Sequence, residues 1–398
     1  MHGALPLGAR AAAALPLLIW LYLLGARGRF WRVARHLPRA QSHAPRPASA
    51  AAAPGRRVVA VIPARNEADV IGAAVGSLLR QELAGPIHVI VVDDASTDGT
   101  AGAALAAAAA AGAAQRLTIL DGAPLAAGWS GKLWAMSQGI AGAAVHHPDY
   151  LLLTDADIEH ERENIALLVA RAEAQGLDLL SSMVRLSTAT FPERCLIPAF
   201  VFFFFKLYPP AWIASPRART AGAAGGCMLI RPQALSRIGG LAAIRTSIID
   251  DCALAVAVKA SGGSISLGLS RTARSLRVYG SFAQIGRMIA RTAFQQLRHS
   301  YLLLAVTLLG LAVTYLAPPL LLLTGDPLTM TLGAGAWALM TLAYLPMVRF
   351  YRLPALWAAA LPAIAAFYAG ATLWSAVQYR LGRGGRWKGR VQDARAAG

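Results

Sequence analysis

The chain has 398 residues, of which 56% are hydrophobic and 15% charged, a balance too apolar and too charge-poor for an ordinary soluble domain. The formal net charge of +18 raises nucleic acid as a partner. However, the basic residues form no single stripe interleaved with aromatics, and this argues against that class. They flank apolar runs instead: Arg27, Arg29, Arg32 and Arg35 after the first, and Arg380, Arg383, Arg386, Lys388 and Arg390 after the last. Such flanks belong on the cytoplasmic side of a membrane, against anionic head groups. The three cysteines, Cys195, Cys227 and Cys252, have neither metal-type spacing nor an even count for a disulfide framework, in keeping with a reducing compartment.

Residues 1–26 contain the apolar run AAAALPLLIWLYLL at 11–24. Dense positive charge follows this run rather than preceding it, which predicts an uncleaved transmembrane anchor, N-terminus outside, with the following chain in the cytoplasm. Residues 27–56 read as a basic, Ala/Pro-rich linker. From 57 to 280, apolar runs at 58–62, 87–92, 117–120, 150–153 and 178–184 alternate with helix-length stretches at about 67–81, 100–114, 131–145 and 162–175. That alternation predicts an α/β domain with a Rossmann-like, mostly parallel sheet. Within it, 195–214 holds Phe202–Phe205, Lys206 and three prolines, and reads as an interfacial, acceptor-facing segment. Residues 281–300 form an amphipathic interface helix.

Residues 301–378 hold three apolar segments, 301–323, 328–348 and 354–376, each long enough for a hydrocarbon core about 30 Å thick. Three crossings from a cytoplasmic domain would place the basic tail, 379–398, outside, against the positive-inside rule. One segment must be re-entrant or interfacial, or one boundary must differ. Pro318-Pro319 and Pro362 are the expected places for a broken helix.

Ligands of open parallel sheets bind beyond the carboxyl ends of the strands, and three polar clusters lie there. Pro63, Arg65, Asn66 and Glu67 follow the first strand. The pair Asp93-Asp94, with Asp98, follows the second; adjacent carboxylates call for nearby donors, such as a nucleoside ring N–H and ribose hydroxyls. Thr154-Asp155-Ala156-Asp157 follows the fourth, and two carboxylates spaced by one small residue suit Mg²⁺ or Mn²⁺ with room left for diphosphate oxygens. Each cluster also reads as helix capping when taken alone. So does Asp250-Asp251 ahead of the stretch CALAVAVKA, while Gln295-Gln296-Leu297-Arg298-His299 also reads as a membrane-surface helix end.

Read together, these clusters resemble family-2 glycosyltransferases of the GT-A fold, and most nearly the bacterial hopene-associated glycosyltransferases. The resemblance covers about residues 57–300 and rests on VVDDASTDGT, TDAD and GWSGKLWA. It implies that Asp93 and Asp94 bind the nucleobase and ribose, that Asp155 and Asp157 bind the metal, and that Asp251 is the general base beside Asp250. The Q-x-x-R-W signature falls on Gln295, Arg298 and His299, with His in place of Trp, which favours a single transfer over polymerisation. Gly225-Gly226-Cys227 falls where such enzymes shape the acceptor pocket, and Lys132 is placed for a phosphate.

The expected reaction is a metal-dependent, inverting transfer of a sugar from a nucleotide-diphosphate donor to a lipid acceptor, such as a hopanoid, at the inner membrane. Phe202–Phe205 would deliver that acceptor. A nucleotidyltransferase would want a Gly- and Lys-rich loop where PARNEA stands. The alternative outside catalysis is a membrane scaffold or transporter with a degenerate nucleotide-sugar domain, although the C-terminal spans carry no acidic residue of the kind transport uses.

Overall fold

The structure is a computed structural model that describes residues 6–32, 55–382, 386–387 and 390–391. Most of the linker expected at 27–56 and of the tail expected at 379–398 lies outside the described residues. The first helix, α1 (Leu7–Gly25), is followed after the undescribed stretch by β1 (Val58–Ala64), α2 (Ala68–Leu79), β2 (Ile87–Asp93), α3 (Thr100–Ala110), β3 (Leu117–Asp121), α4 (Gly131–Ala143) and β4 (Tyr150–Thr154). Then come β5 (Ile158–His160), α5 (Asn164–Gln175), β6 (Leu179–Arg185), α6 (Phe191–Leu207), α7 (Pro210–Ile213), β7 (Cys227–Ile230), α8 (Pro232–Arg237), α9 (Asp250–Ala260) and β8 (Ile265–Ser275).

The eight strands form one sheet in the order β3-β2-β1-β4-β7-β6-β8-β5. Every residue of β1 is buried, as a central strand covered on both faces requires. Alternate residues feed two cores: Val59, Val61, Leu151 and Leu153 on one face, and Val58, Ala60, Ile62 and Leu152 on the other. β1 to β4 pair in parallel, as expected. The other half is mixed, because β7 runs antiparallel to both β4 and β6, and β5 antiparallel to β8. The mostly parallel sheet read from the sequence therefore holds for the first half only.

The remaining helices are α10 (Phe282–Gln296), α11 (Tyr301–Leu311), α12 (Ala317–Leu321), α13 (Pro327–Phe350) and α14 (Leu361–Arg380). Five helical stretches have the length and apolar composition to cross a membrane: Leu7–Gly25, Phe191–Ile213, Tyr301–Leu321, Pro327–Phe350 and Ala355–Arg380. The second cannot do so in this fold, because β6 before it and β7 after it pair in the same sheet. α6 is instead fastened at its start by a capping box, in which Thr190 accepts from the Glu193 N–H while Glu193 accepts from the Thr190 N–H.

Pro318-Pro319 does not break its helix. A proline has no N–H to give the carbonyl four residues back, which here is Thr314. The chain widens into a π turn at Ala312–Leu316, and the indole Nε1–H of Trp20 donates to the Thr314 carbonyl at 2.9 Å. Residues 301–321 thus stay one continuous helical rod.

α1 and α13 run parallel, with Arg10 on Asp326 at 2.6 Å at their starts and Leu17 packed over Gly335 further along. After α13 ends, the chain doubles back. Trp337 Nε1–H donates to the Ala359 carbonyl at 3.0 Å, so residue 359 lies level with a point 13 residues, or about 20 Å, before the end of α13. α14 then runs beside α10 in the same direction. Phe367 meets Phe282, Ser375 accepts from the Phe294 N–H at 3.0 Å, and Tyr379 stacks on His299 at 4.0 Å. Its last turns also touch the beginning of α11, through Leu304 and Ala376. Segment 351–380 therefore departs from and returns to the same end of the helical bundle, whereas the other two expected spans each run from one end to the other.

Candidate active site

β4 ends at Thr154, and the turn after it carries Asp155 and Asp157. Asp155 Oδ1 lies 2.9 Å from Lys132 Nζ, which stands in the first turn of α4. The same Nζ lies 3.2 Å from Asp250 Oδ2 at the start of α9. Asp157 Oδ2 accepts from Ser275 Oγ and from Arg277 Nε, both at 3.1 Å. Arg277 Nη2 also donates to Glu67 Oε1 at 3.1 Å, tying the β1 loop to the β4 turn. Asp251 accepts from the backbone N–H of Gly225 at 2.8 Å and of Cys252 at 2.7 Å.

These groups line one cavity of about 1240 Å³, together with Pro63, Ser130, Gly225 and Gly226. Gly225 lies close to both groups: a Cβ there would stand 3.3 Å from Asp251 Oδ2 and 3.5 Å from Lys132 Nζ. Burial, with the like charge of Asp250 second, pushes the Asp251 carboxyl up to about 6. Burial also raises Asp155 above the usual carboxylate range, with Lys132 opposing it. For Lys132, burial alone would lower the pKa, but the carboxylates of Asp155 and Asp250 outweigh it and hold the ammonium above the ordinary lysine value. Arg277 follows the same pattern, with Asp157 and Glu67 overcoming its desolvation.

Among the described residues no three His, Cys, Asp or Glu side chains form a complete metal site by themselves. The donor chemistry nevertheless fits a hard divalent cation that completes its shell with ligand oxygens and water. Five carboxylates, Glu67, Asp155, Asp157, Asp250 and Asp251, face two cations, Lys132 and Arg277, within the cavity wall. Asp250 Oδ2 is buried with no hydrogen-bond donor aimed at it, although Lys132 lies at ion-pair distance.

Several expected site residues stand elsewhere. Arg65, Asn66, Asp93, Asp94 and Asp98 lie at the same strand ends, with Ala64 in register with Asp93, but outside the wall of this cavity. They stitch the two loops together: Ser96 Oγ accepts from the Asn66 N–H, Asn66 Oδ1 from the Thr97 N–H, and Asp98 Oδ2 from the Ala68 N–H. Asp93 Oδ1 accepts from the Ser96 N–H at 2.8 Å, and Asp94 Oδ2 lies 3.7 Å from Arg65 Nη1.

Cys227 is a correction. β7 alternates faces, so its side chain joins the far core while Met228 joins the near one, and burial pushes the thiol up to about 12. Gln295, Arg298 and His299 are likewise absent from the cavity wall. α10 presents its earlier turns there, and His299 stacks on Tyr379 beyond its end. The Phe202–Phe205 patch faces inward: Phe202 and Phe205 are fully buried, and Phe202 packs on Phe30 and Tyr344. Only Phe204 of that run reaches the cavity.

Among the lining residues that the sequence did not single out are Arg277, Tyr279, Arg287 and Arg291. The two arginines of α10 are spaced i, i+4, a visible signal that a basic interface helix absorbed. Arg277 reaches partners 120 and 210 residues away, and no local pattern announces that.

A family model described as glycosyl transferase family 2 matches residues 59–239. The chain is 32% identical over 118 residues to 4,4'-diaponeurosporenoate glycosyltransferase of Staphylococcus aureus, in two strains, bovine RF122 / ET3-1 and MRSA252. That match spans 29% of this chain and 28% of the relative's length. Among solved structures, a mannosyltransferase of Pyrobaculum calidifontis in complex with GDP-Man and Mn²⁺ superposes with a TM-score of 0.53 at 19% identity, covering 91% of this chain and 99% of that one. At that identity the likeness is one of fold, and it extends over the helical regions as well as the sheet. Residues 59–239 thus match the glycosyl transferase family 2 model, on a chain that shares its α/β fold with that mannosyltransferase and holds terminal helices long and apolar enough to cross a membrane.

Proposed function

We propose that this protein transfers a single sugar, with inversion, from a nucleotide-diphosphate donor to a hydroxyl of a membrane lipid. The observation that carries this reading is one cavity that joins Asp155, Asp157, Lys132 and Asp251 at its polar end to apolar side chains of α6 and α14 at the other. The nucleotide is assigned to the adjoining strand ends, where Asp93, Asp94 and Arg65 stand. The donor diphosphate meets Lys132, whose ammonium offsets charge that develops as the sugar's anomeric carbon parts from it. Asp251 takes the proton of the acceptor hydroxyl as its oxygen bonds to that carbon. Its raised pKa suits a base working near neutrality. Asp155 and Asp157 would hold Mg²⁺ or Mn²⁺, which supplies Lewis-acid neutralisation of the leaving diphosphate when bound.

A single transfer is favoured because the far wall is apolar rather than a polar channel for a growing glycan. A hopanoid is one acceptor of the right character. We place the domain and the chain after Arg380 on the cytoplasmic face of the inner membrane. The support is the cluster Arg27, Arg29 and Arg32 at the domain end of α1, together with the return of α14 to that same end.

The test is to incubate membranes containing the protein with labelled nucleotide sugars and metal, then to extract the lipids. Label is expected in the lipid fraction, and Asp157→Ala is expected to abolish it. Full activity in Asp157→Ala would remove the metal assignment. Nucleotide binding with Mn²⁺ but no turnover of any donor would leave an inactive scaffold as the better reading.

A further inference from the structure

The cavity is larger than a donor alone requires, since pockets for a single small ligand run to about 1,000 Å³, against about 1240 Å³ here. Its far wall has two distinct textures. Phe367, Gly370, Ala371 and Trp374 of α14 recur at helical spacing, and Phe204 of α6 faces the same space. Gly370 leaves real room, because a Cβ there would meet nothing within 4 Å. α10 contributes Arg287 and Arg291 to the lining of the same cavity.

Those two arginines differ from every other cation in the cavity. Lys132 is held by Asp155 and Asp250, and Arg277 by Asp157 and Glu67. Among the described residues, Arg287 and Arg291 have no carboxylate or hydrogen-bond acceptor, and both are exposed side chains in the cavity lining. One turn apart on one helix face, they offer two guanidinium forks, the geometry that suits a carboxylate or a phosphate.

The geometry points to an acceptor that is an anionic amphiphile: its apolar body lies along α14 and α6, and an acidic group near its reacting hydroxyl rests on Arg287 and Arg291. This deepens the lipid-acceptor reading above by naming the head-group chemistry. The charge balance supports it. A neutral lipid would leave both guanidinium groups without a partner in a cavity with an apolar slot, while an acidic head approaching the carboxylates needs a countercharge. The same chemistry would also serve bulk anionic phospholipid at the membrane surface, and the source assigned here is the acceptor inside the cavity.

The test uses the full chain in phosphatidylcholine vesicles with two spin-labelled probes, doxyl-stearic acid and its neutral methyl ester. Electron paramagnetic resonance reads the fraction of each probe that the protein immobilises. Wild type is expected to hold the acid about tenfold more tightly than the ester, the size of a charge-assisted hydrogen-bonded contact. Arg287→Gln/Arg291→Gln is expected to bring the acid down to the level of the ester and leave the ester unchanged. Gly370→Trp, which fills the slot, is expected to release both probes.

Equal immobilisation of acid and ester by wild type would overturn the proposal, as would an acid preference that survives the double substitution. An acid preference that survives Gly370→Trp, or that excess phosphatidylglycerol abolishes, would assign the arginines to bulk lipid and also overturn it. No donor turnover enters these readings. A failure of glycosyl transfer therefore leaves the acid preference intact, and a failure of the acid preference leaves a neutral-lipid transferase standing.

Discussion

In the proposed transfer Asp251 is the base, and its environment fixes the sign of a pH effect. Burial raises its carboxyl from the usual carboxylate range to about 6, so the group is protonated and unable to accept a proton below that pH. The value of kcat/KM is therefore expected to climb with pH through about 6 and then level off, as read from initial rates across a buffer series. Asp251→Asn should lose that limb and lower kcat by about 10²–10⁴-fold, the usual worth of a positioned base, while nucleotide binding persists. Lys132 poses a complementary question, since it separates Asp155 from Asp250. Lys132→Met removes the cation and leaves buried carboxylates facing one another, expected to cost about 3 kcal/mol or more. Adding Mn²⁺ should then raise the Tm of Lys132→Met more than that of the wild type, because the ion restores positive charge where the ammonium stood. An equal rise in both proteins would argue that the cation binds elsewhere.

At the scale of elements, α4 must lie close enough to the sheet for Lys132 to reach Asp155. Gly139 sets that approach: a Cβ there would fall 2.4 Å from Val61 Cγ1 and 3.0 Å from Val92 Cγ2. Gly139→Ala gains about 1 kcal/mol of helix propensity, yet overpacking against β1 and β2 costs about 1–3 kcal/mol. The net expectation is a lowered Tm, with donor turnover falling in step as α4 is pushed off the sheet. The sequence announces the five principal strands by their apolar runs, and the helices between them by length. Three further strands escape it, for a physical reason. β5 and β7 have three and four residues, too short for a period to register, and β7 is apolar on both faces because β4 and β6 enclose it. The eleven-residue β8 carries Arg271, Thr272 and Arg274, which disguise its apolar alternation.

For the whole molecule, the question is on which side of the membrane each end lies. On the proposed topology, in which 351–380 enters and returns on one side, the crossing helices are α1, the rod 301–321 and α13. The loop between α12 and α13 then lies opposite the catalytic domain, with Arg10 of α1 reaching Asp326 there. Impermeant maleimide labelling checks this in a background with Cys195, Cys227 and Cys252 replaced by Ala. Leu105→Cys on the domain and Leu381→Cys after α14 are expected to react from one side of sealed vesicles, and Leu323→Cys from the other; all three positions are exposed. Labelling of Leu381→Cys from the same side as Leu323→Cys would make α14 a full crossing.

What the amino-acid sequence determined by itself is whatever depends on near neighbours. This covers the apolar periods that make β1 to β4, the acidic turns that follow those strands, the apolar helices, and the conflict between three C-terminal spans and a basic tail. Only the tertiary structure decided which of those turns meet. It brought Asp155, Asp157, Lys132, Asp250 and Asp251 into one cavity, left Gln295, Arg298 and His299 beyond it, and turned Phe202 and Phe205 into the core. It also laid α14 alongside α10, and it kept the double proline within a continuous rod through the indole of Trp20. The reason is range. A helix or strand answers to residues within a few positions, whereas a site and a membrane path answer to partners that here stand up to 316 positions away, and which of them meet is settled only when the elements pack.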